Sequence, residues 1–418
     1  MKKIISVFAL LLAMAVFIVA CAPGAPAETP AETPTQQGDA TLSPEDMLES
    51  LRGTTVTFYG WGGGHHINEW LDNIVASSLY ENYGIILQRV GMDIGDILSK
   101  LIGERQAGVE RGDIDVVWIN GENFYTALNA NLLYGPITHR VPNFARYLDP
   151  NDPDNLYDFG TYIGGMQVPY GRAQLVFAAD TAVLDSFPTS AAQLLEMARQ
   201  YPGRFTYVAP PDFIGSAFVR NIIYDIVGFD ALFNAPVDEA AIYEVIRPAL
   251  DFFIELKPYL WQEGQTYPTN IAMLNTMFTD GLTLMTKDYS PLFVAQNIFA
   301  GEFPATTQTF VFDGGNIGNT HYMAIPFNAP NVEAALVLIN HIISPEIQIT
   351  KYDANNWGDF PVFDVNRLSA EQRALFESID NGVGILSAAE LQERRLPEVQ
   401  AAKIPIIDRL WIEHVLMR

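Results

Sequence analysis

Apolar and polar positions alternate over residues 54–59, the pattern of a half-buried strand. A turn, Gly60-Trp61-Gly62-Gly63-Gly64-His65-His66, follows. Ile67, Trp70, Leu71, Ile74, Val75 and Leu79 then recur at helical spacing until Gly84 closes the helix. Residues 85–90 read as a second strand. Ile94, Ile97, Leu98, Leu101 and Ile102 form the apolar stripe of a second helix, and residues 115–119 a third strand. Strands separated by helices of this length predict parallel βαβ units in a sheet covered on both faces, with ligands at the carboxyl ends of the strands.

The second half repeats the theme less cleanly. Strands are predicted at 175–179, 205–208, 282–286 and 307–312, helices at 191–199, 216–227 and 239–256, and a crossing segment at 321–326. Residues 332–343 are apolar nearly all round, which predicts a buried helix, and loops dominate from there to about 367. No internal repeat is present.

The first 44 residues follow other rules. Lys2 and Lys3 precede an apolar run over residues 4–19, then Ala20 and Cys21. This is a secretory signal with a small-residue cleavage site, shorter than the ~20 residues a membrane span needs. It resembles the lipobox of bacterial lipoproteins, which implies a lipid on Cys21 as the first mature residue. Residues 22–44 hold no aromatic and no branched aliphatic side chain until Leu42, so they cannot bury enough apolar area to fold. As a Pro-rich tether at about 3.1 Å per residue they reach roughly 70 Å from the membrane.

Beyond Pro44 there remains enough apolar chain for a sizeable core, which at this length is expected to divide into two lobes. The formal charge of −25, or −27 without Lys2 and Lys3, disfavours nucleic acid and anionic lipid as partners. Cys21 is the only cysteine, so the folded part can form neither a disulfide nor a cysteine-based zinc site.

Enzyme signatures fail one by one. Gly60-x-Gly62 after a strand lacks the third glycine of a dinucleotide fingerprint, His65 standing there. Gly314-Gly315-Asn316-Ile317-Gly318-Asn319-Thr320 lacks the lysine of a phosphate-cradling loop and reads as a backbone-rich binding loop. His65 and His66 are adjacent and diverge, with no third histidine near, so a rim position is the simpler reading than metal ligation. His139 and His321 read as hydrogen-bonded structural histidines. Trp70 belongs to its helix core, Trp61 in its glycine turn suits stacking on a ligand, and Trp118 and Trp357 suit core and cleft equally.

The run Trp118-Ile119-Asn120-Gly121-Glu122-Asn123-Phe124 is long and specific. With Trp61-Gly62-Gly63, Pro210-Pro211-Asp212-Phe213-Ile214-Gly215-Ser216, Asp313 to His321 and Trp357-Gly358-Asp359, it resembles the YnjB-type solute-binding proteins of ABC importers over residues 52–365. The resemblance implies an α/β, two-lobed type II periplasmic-binding-protein fold with the ligand cleft between the lobes. Residues 51–168 plus 322–418 would form the first lobe, the C-terminal part being free to cross both, and residues 169–321 the second, with Pro169-Tyr170-Gly171 as one hinge. It implies as ligand-binding residues Tyr59, Trp61, Gly62, Gly63, Asn120, Glu122 and Asn123 from the first lobe. Asp212, Ser216, Asp288, Tyr289, Asn316, Asn319 and Trp357 complete the set. The implied partners are a small solute, a permease with its separate ATPase, and the membrane through Cys21. The implied protein is a monomer with no cofactor and no catalytic residues.

Carboxylates at Glu122, Asp212 and Asp288 and aromatic faces at Tyr59, Trp61 and Tyr289 favour a small cationic organic solute, thiamine- or polyamine-like. Glu122 and Asp212 suit helix capping equally well. Glycine-rich turns before helices also suit anions, and a metal ion is the lesser alternative. A surface-anchored hydrolase and a sensory or adhesive lipoprotein are the competing functions on the same fold.

Overall fold

The computed structural model describes residues 48–418; the signal, Cys21 and the tether to residue 44 lie outside the described residues. The principal strands are β1 (Thr55–Gly60), β2 (Ile86–Gly91), β3 (Val116–Ile119), β4 (Gln167–Gln174), β5 (Val176–Asp180), β6 (Met285–Asp288), β7 (Thr307–Phe310) and β8 (Asn316–Pro326). The helices that bear on function are α1 (Ile94–Ala107), α2 (Gly121–Asn129), α3 (Phe213–Val227), α4 (Glu239–Leu256), α5 (Val332–Ile342) and α6 (Ile404–Trp411).

In the first lobe β1 runs parallel to β2 and β3, and β8 closes the sheet antiparallel to β3. Alternation assigns each side chain to a face. Val56 and Phe58 of β1, Val116 of β3 and Met323 and Ile325 of β8 pack with Trp70, Leu71, Leu338 and Trp357. Tyr59, Val117, Ile119, Tyr322 and Ala324 pack on the other side with Ile97, Leu101 and Phe124. Both faces are therefore covered, as a parallel sheet requires.

The two long strands β4 and β8 pair antiparallel from Gly318↔Gln174 to Ala324↔Gln167, with a register shift between His321 and Tyr322. They carry the chain between the lobes. The second lobe holds a three-stranded antiparallel sheet, β7–β5–β6, rather than a repeat of the parallel βαβ units. Its core joins Phe177, Phe205, Tyr207, Phe218, Phe253 and Trp411.

Residues 205–208, read as a strand, are buried but form no ladder. The Phe205 carbonyl accepts from Trp261 N and the Arg204 carbonyl from Leu284 N, so the segment is pinned by isolated bonds. Within the stretch 322–418, whose C-terminal part was free to cross both lobes, Leu338, Ile342, Trp357, Phe363 and Leu368 pack in the first core, and Val399, Ile404, Ile407, Leu410 and Trp411 in the second. Among the described residues no single helix is long and apolar enough to cross a membrane.

Gly215, in the first turn of α3, leaves no room for a side chain, since a Cβ there would lie 2.3 Å from the Val208 carbonyl oxygen. Backbone cannot yield as a side chain can. Gly215→Ala should therefore destabilise the protein by about 1–3 kcal/mol, read as a lower guanidinium midpoint at unchanged slope. An unshifted midpoint would contradict this packing.

Candidate functional site

Where the lobes face one another, a cavity of about 210 Å³ is walled by Ile94, Glu122 and Asn123 of the first lobe. Pro211, Phe213, Ser216 and Arg220 of α3 and its preceding turn, with Ile404 and Asp408 of α6, form the opposite wall. Local folding aims each group. β3 ends at Ile119, and Gly121, at φ +59°, makes the turn into α2 that a bulkier residue would strain. Gly121 N donates to both carboxylate oxygens of buried Asp158 at 2.9 Å, and Gln167 Nε2 donates to Asp158 at 2.8 Å. Burial pushes the Asp158 carboxyl up to about 7 against those two donors. Asp158 thus holds the turn that presents Glu122 and Asn123.

On the other wall Asp212 caps α3 by accepting from Gly215 N at 2.9 Å. Phe213, Ser216 and Arg220 then fall on one face of α3, as Ile404 and Asp408 do on α6. Arg220, 1 % exposed, donates from Nε and Nη2 to the two oxygens of Glu398 at 2.9 and 2.8 Å. Its Nη1 donates to Ser216 Oγ at 2.5 Å, and Ser216 Oγ donates to Asp408 Oδ1 at 2.5 Å. The Tyr289 hydroxyl donates to Glu398 at 3.2 Å from behind. Burial opposes the guanidinium charge, but Glu398 outweighs it and holds Arg220 protonated.

The carboxyls facing the cavity are in the opposite condition. Burial raises Glu122 above the ordinary glutamate value; its own backbone N–H and Arg220 partly offset this, and Glu398 and Asp408 add to it. Burial likewise raises Asp408, against Ser216 and Arg220. Glu122 Oε2 has no hydrogen-bond partner among the described residues. Three carboxylates thus surround a single guanidinium that is already paired.

Of the residues predicted from sequence, Glu122, Asn123 and Ser216 meet at this cavity, Tyr289 supports it and Asp212 caps the helix that forms its wall. The others are placed elsewhere. Tyr59 is packed in the first lobe's core. Trp61 is 48 % exposed and lies over Gly63, while Gly62 packs against the Gly91 backbone. Asn120 precedes α2 without a side-chain cap bond. Asp288 turns back to accept from Ser290 N at 2.9 Å, and burial pushes its carboxyl up to about 6. Asn316 is buried, accepting from Phe312 N and donating to the Leu175 carbonyl. Asn319 is buried on β8 with neither amide atom bonded. Trp357 packs with Trp70, Trp118 and Tyr170 at ring distances of 5.4, 5.6 and 5.7 Å and is core.

His321 stacks on Trp357, its Nδ1 without a hydrogen-bond partner and its Nε2 3.8 Å from Asp359; burial drives its pKa down to about 4, so it is neutral. Among the described residues no group of three or more His, Cys, Asp or Glu side chains is placed to hold a metal ion. The sequence reading missed Ile94, Pro211, Phe213, Arg220, Ile404 and Asp408. Two of them carried a legible signal: Arg220 interrupts the apolar run of α3 and Asp408 that of α6.

A two-lobed α/β protein with its cavity between the lobes is a solute-binding protein in architecture. The chain belongs to the bacterial extracellular solute-binding protein family, which it matches over residues 75–373. It is 35 % identical over 336 residues to protein YnjB of Escherichia coli K12, covering 80 % of this chain and 86 % of that protein. Its fold matches the periplasmic binding protein AfuA of Actinobacillus pleuropneumoniae, solved with fructose-6-phosphate bound, at TM-score 0.61 and 14 % identity. That match covers 88 % of this chain and 100 % of AfuA. The Tp0655 (TpPotD) lipoprotein of Treponema pallidum matches at TM-score 0.62 and 14 % identity, over 87 % of this chain and 100 % of its own. The family is one of solute-binding transport proteins, located outside the cytoplasm.

The buried pair sets one expectation. Glu398→Gln or Arg220→Met alone should cost about 3–5 kcal/mol in urea unfolding, because each strands the other charge, while the double replacement by apolar residues should recover most of the loss. Glu122 sets another, with a definite sign. Its folded pKa lies above the ordinary value of about 4.3, so the native state holds the extra proton between the two values and stability falls as pH rises through that window. Glu122→Gln should therefore raise the melting temperature of the empty protein at pH 7 and leave it unchanged below about pH 4.

Proposed function

We propose that this chain captures a small cationic or amine-bearing organic solute outside the cytoplasmic membrane and hands it to the permease of an ABC importer, a separate ATPase supplying the energy. The observation that carries the reading is the cavity walled from both lobes, with Glu122 on one side and Asp408 on the other. A solute touching both walls stabilises the closed arrangement over the open one, and closure is what a permease can recognise. Excess carboxylate around a pre-paired Arg220 favours positive charge on the solute.

The sequence Ile18-Val19-Ala20-Cys21 supports a lipid on Cys21, with the tether holding a monomeric binding domain near its permease. The acidic chain argues against nucleic acid as a partner.

Deleting the gene should abolish high-affinity uptake of one solute class, and Cys21→Ser should shift the protein from the membrane to the soluble fraction. In a thermal-shift panel, a true solute at about 100 times its Kd should add roughly 2.7 kcal/mol of stability. Undiminished uptake of every solute in the deletion strain would sink the transport reading. Turnover of a bound compound would replace it with the hydrolase alternative.

A further inference from the structure

The geometry points to a cation that carries N–H hydrogens, an amine or guanidine rather than a quaternary ammonium, held between Glu122 of the first lobe and Asp408 of the second. This rests on the solute-binding reading above and narrows its substrate class. Arg220 is a poor receptor for an anion: three of its five N–H groups are given to Glu398 and Ser216, Glu398 neutralises its charge, and the ion pair is 1 % and 2 % exposed. The carboxylates at the cavity keep acceptor capacity open. Glu122 lines the cavity with Oε2 unpartnered, and Asp408 receives a hydrogen bond on Oδ1 alone. Ionised carboxylates only accept, so the missing donors must come from the solute.

Quaternary cations are taken by aromatic cages. Among the described residues Phe213 is the one aromatic side chain in the wall, Tyr59 and Trp357 being core. A trimethylammonium head would leave Glu122 Oε2 desolvated and unpaired, whereas an N–H cation satisfies it with a charge-assisted bond. Ile94, Pro211 and Ile404 give the body of the solute apolar walls. The space corresponds to about seven water volumes at roughly 30 Å³ each, which suits a compact molecule.

Asp408 reaches its place through the chain Glu398, Arg220, Ser216. Glu398 and Arg220 are therefore positioning residues, and Glu122 and Asp408 the ones that touch solute.

Calorimetric titration of the full chain with butylamine, 1,4-diaminobutane and butylguanidine, each against butyltrimethylammonium, butanol and butyrate, tests this. The N–H cations should bind about tenfold or more tighter than the trimethylated one. Glu122→Gln and Asp408→Asn should each remove most of that preference. Should Asp408→Asn fail to fold, Glu122→Gln and the wild-type ratio decide alone. Equal or tighter binding of the quaternary, neutral or anionic probe overturns the inference and leaves solute capture standing. Failure of every probe to bind also overturns it, and solute capture falls with it only if uptake in the deletion strain is unchanged as well.

Discussion

The pairing of the two crossing strands governs everything else in this molecule. Residues 167–174 and 318–324 bond to one another while belonging to both lobes, so the ladder that completes the first lobe's sheet is also the connection to the second. Arg395 braces it. Its guanidinium donates to the carbonyls of Ala173 and Asn319, which are paired across the ladder, and to Asp154 of the first lobe. Gly318 leaves room beside it, since a Cβ there would displace the guanidinium from its place. Burial opposes the charge on Asp154, but Arg395 and Arg172 outweigh it and hold the carboxyl below its usual range. A second buried charge, Lys351, ties the Tyr170 carbonyl to Asp359 at 2.7 and 2.8 Å. Backbone carbonyls of the hinge are thus gripped by cations, and a twist between the lobes is resisted by hydrogen bonds rather than by apolar packing alone.

From that hinge the site follows. The segment that carries Arg395 continues through Glu398 to α6, and it places Asp408 opposite Glu122 although Asp408 and its partner Ser216 are 192 residues apart. One strap therefore serves two purposes, bracing the crossing strands and building the second lobe's wall of the cavity.

How much of this was legible follows from what kind of order each feature has. Alternation over residues 54–59 marked β1 and its two faces, because period two depends only on neighbours in sequence. Residues 205–208 have the same apolar run and the same burial, yet no partner strand, and a run cannot announce its partner. Glu122, Asn123 and Ser216, named from the sequence, line the cavity because turns at strand ends and helix starts are where an α/β cleft collects its groups. Tyr59 was read as a ligand face and Trp357 as suiting core and cleft equally, because aromatic rings look alike in sequence whether they stack on a solute or on Trp70. Arg220 and Asp408 act at long range, and only the break each makes in an apolar helix, beside Asn221 and Arg409, marked them.

The buried Arg220–Glu398 pair raises a question of economy in charge. An ion pair sealed in a lobe is weak grounds for stability, since apolar residues of similar volume commonly do as well. Its place here is better explained by direction. Paired within one lobe and 1 % exposed, the guanidinium already bears its desolvation penalty in the folded protein. A further N–H bond fixes the Ser216 hydroxyl, whose proton points to Asp408 because an ionised carboxylate can only accept. Asp408 is left with one free oxygen in a set orientation, and Glu122 answers from the opposite lobe with an oxygen that has no donor of its own. Asp408 adds to the raised proton affinity of Glu122, so two ionised carboxylates facing one another across the cavity are disfavoured.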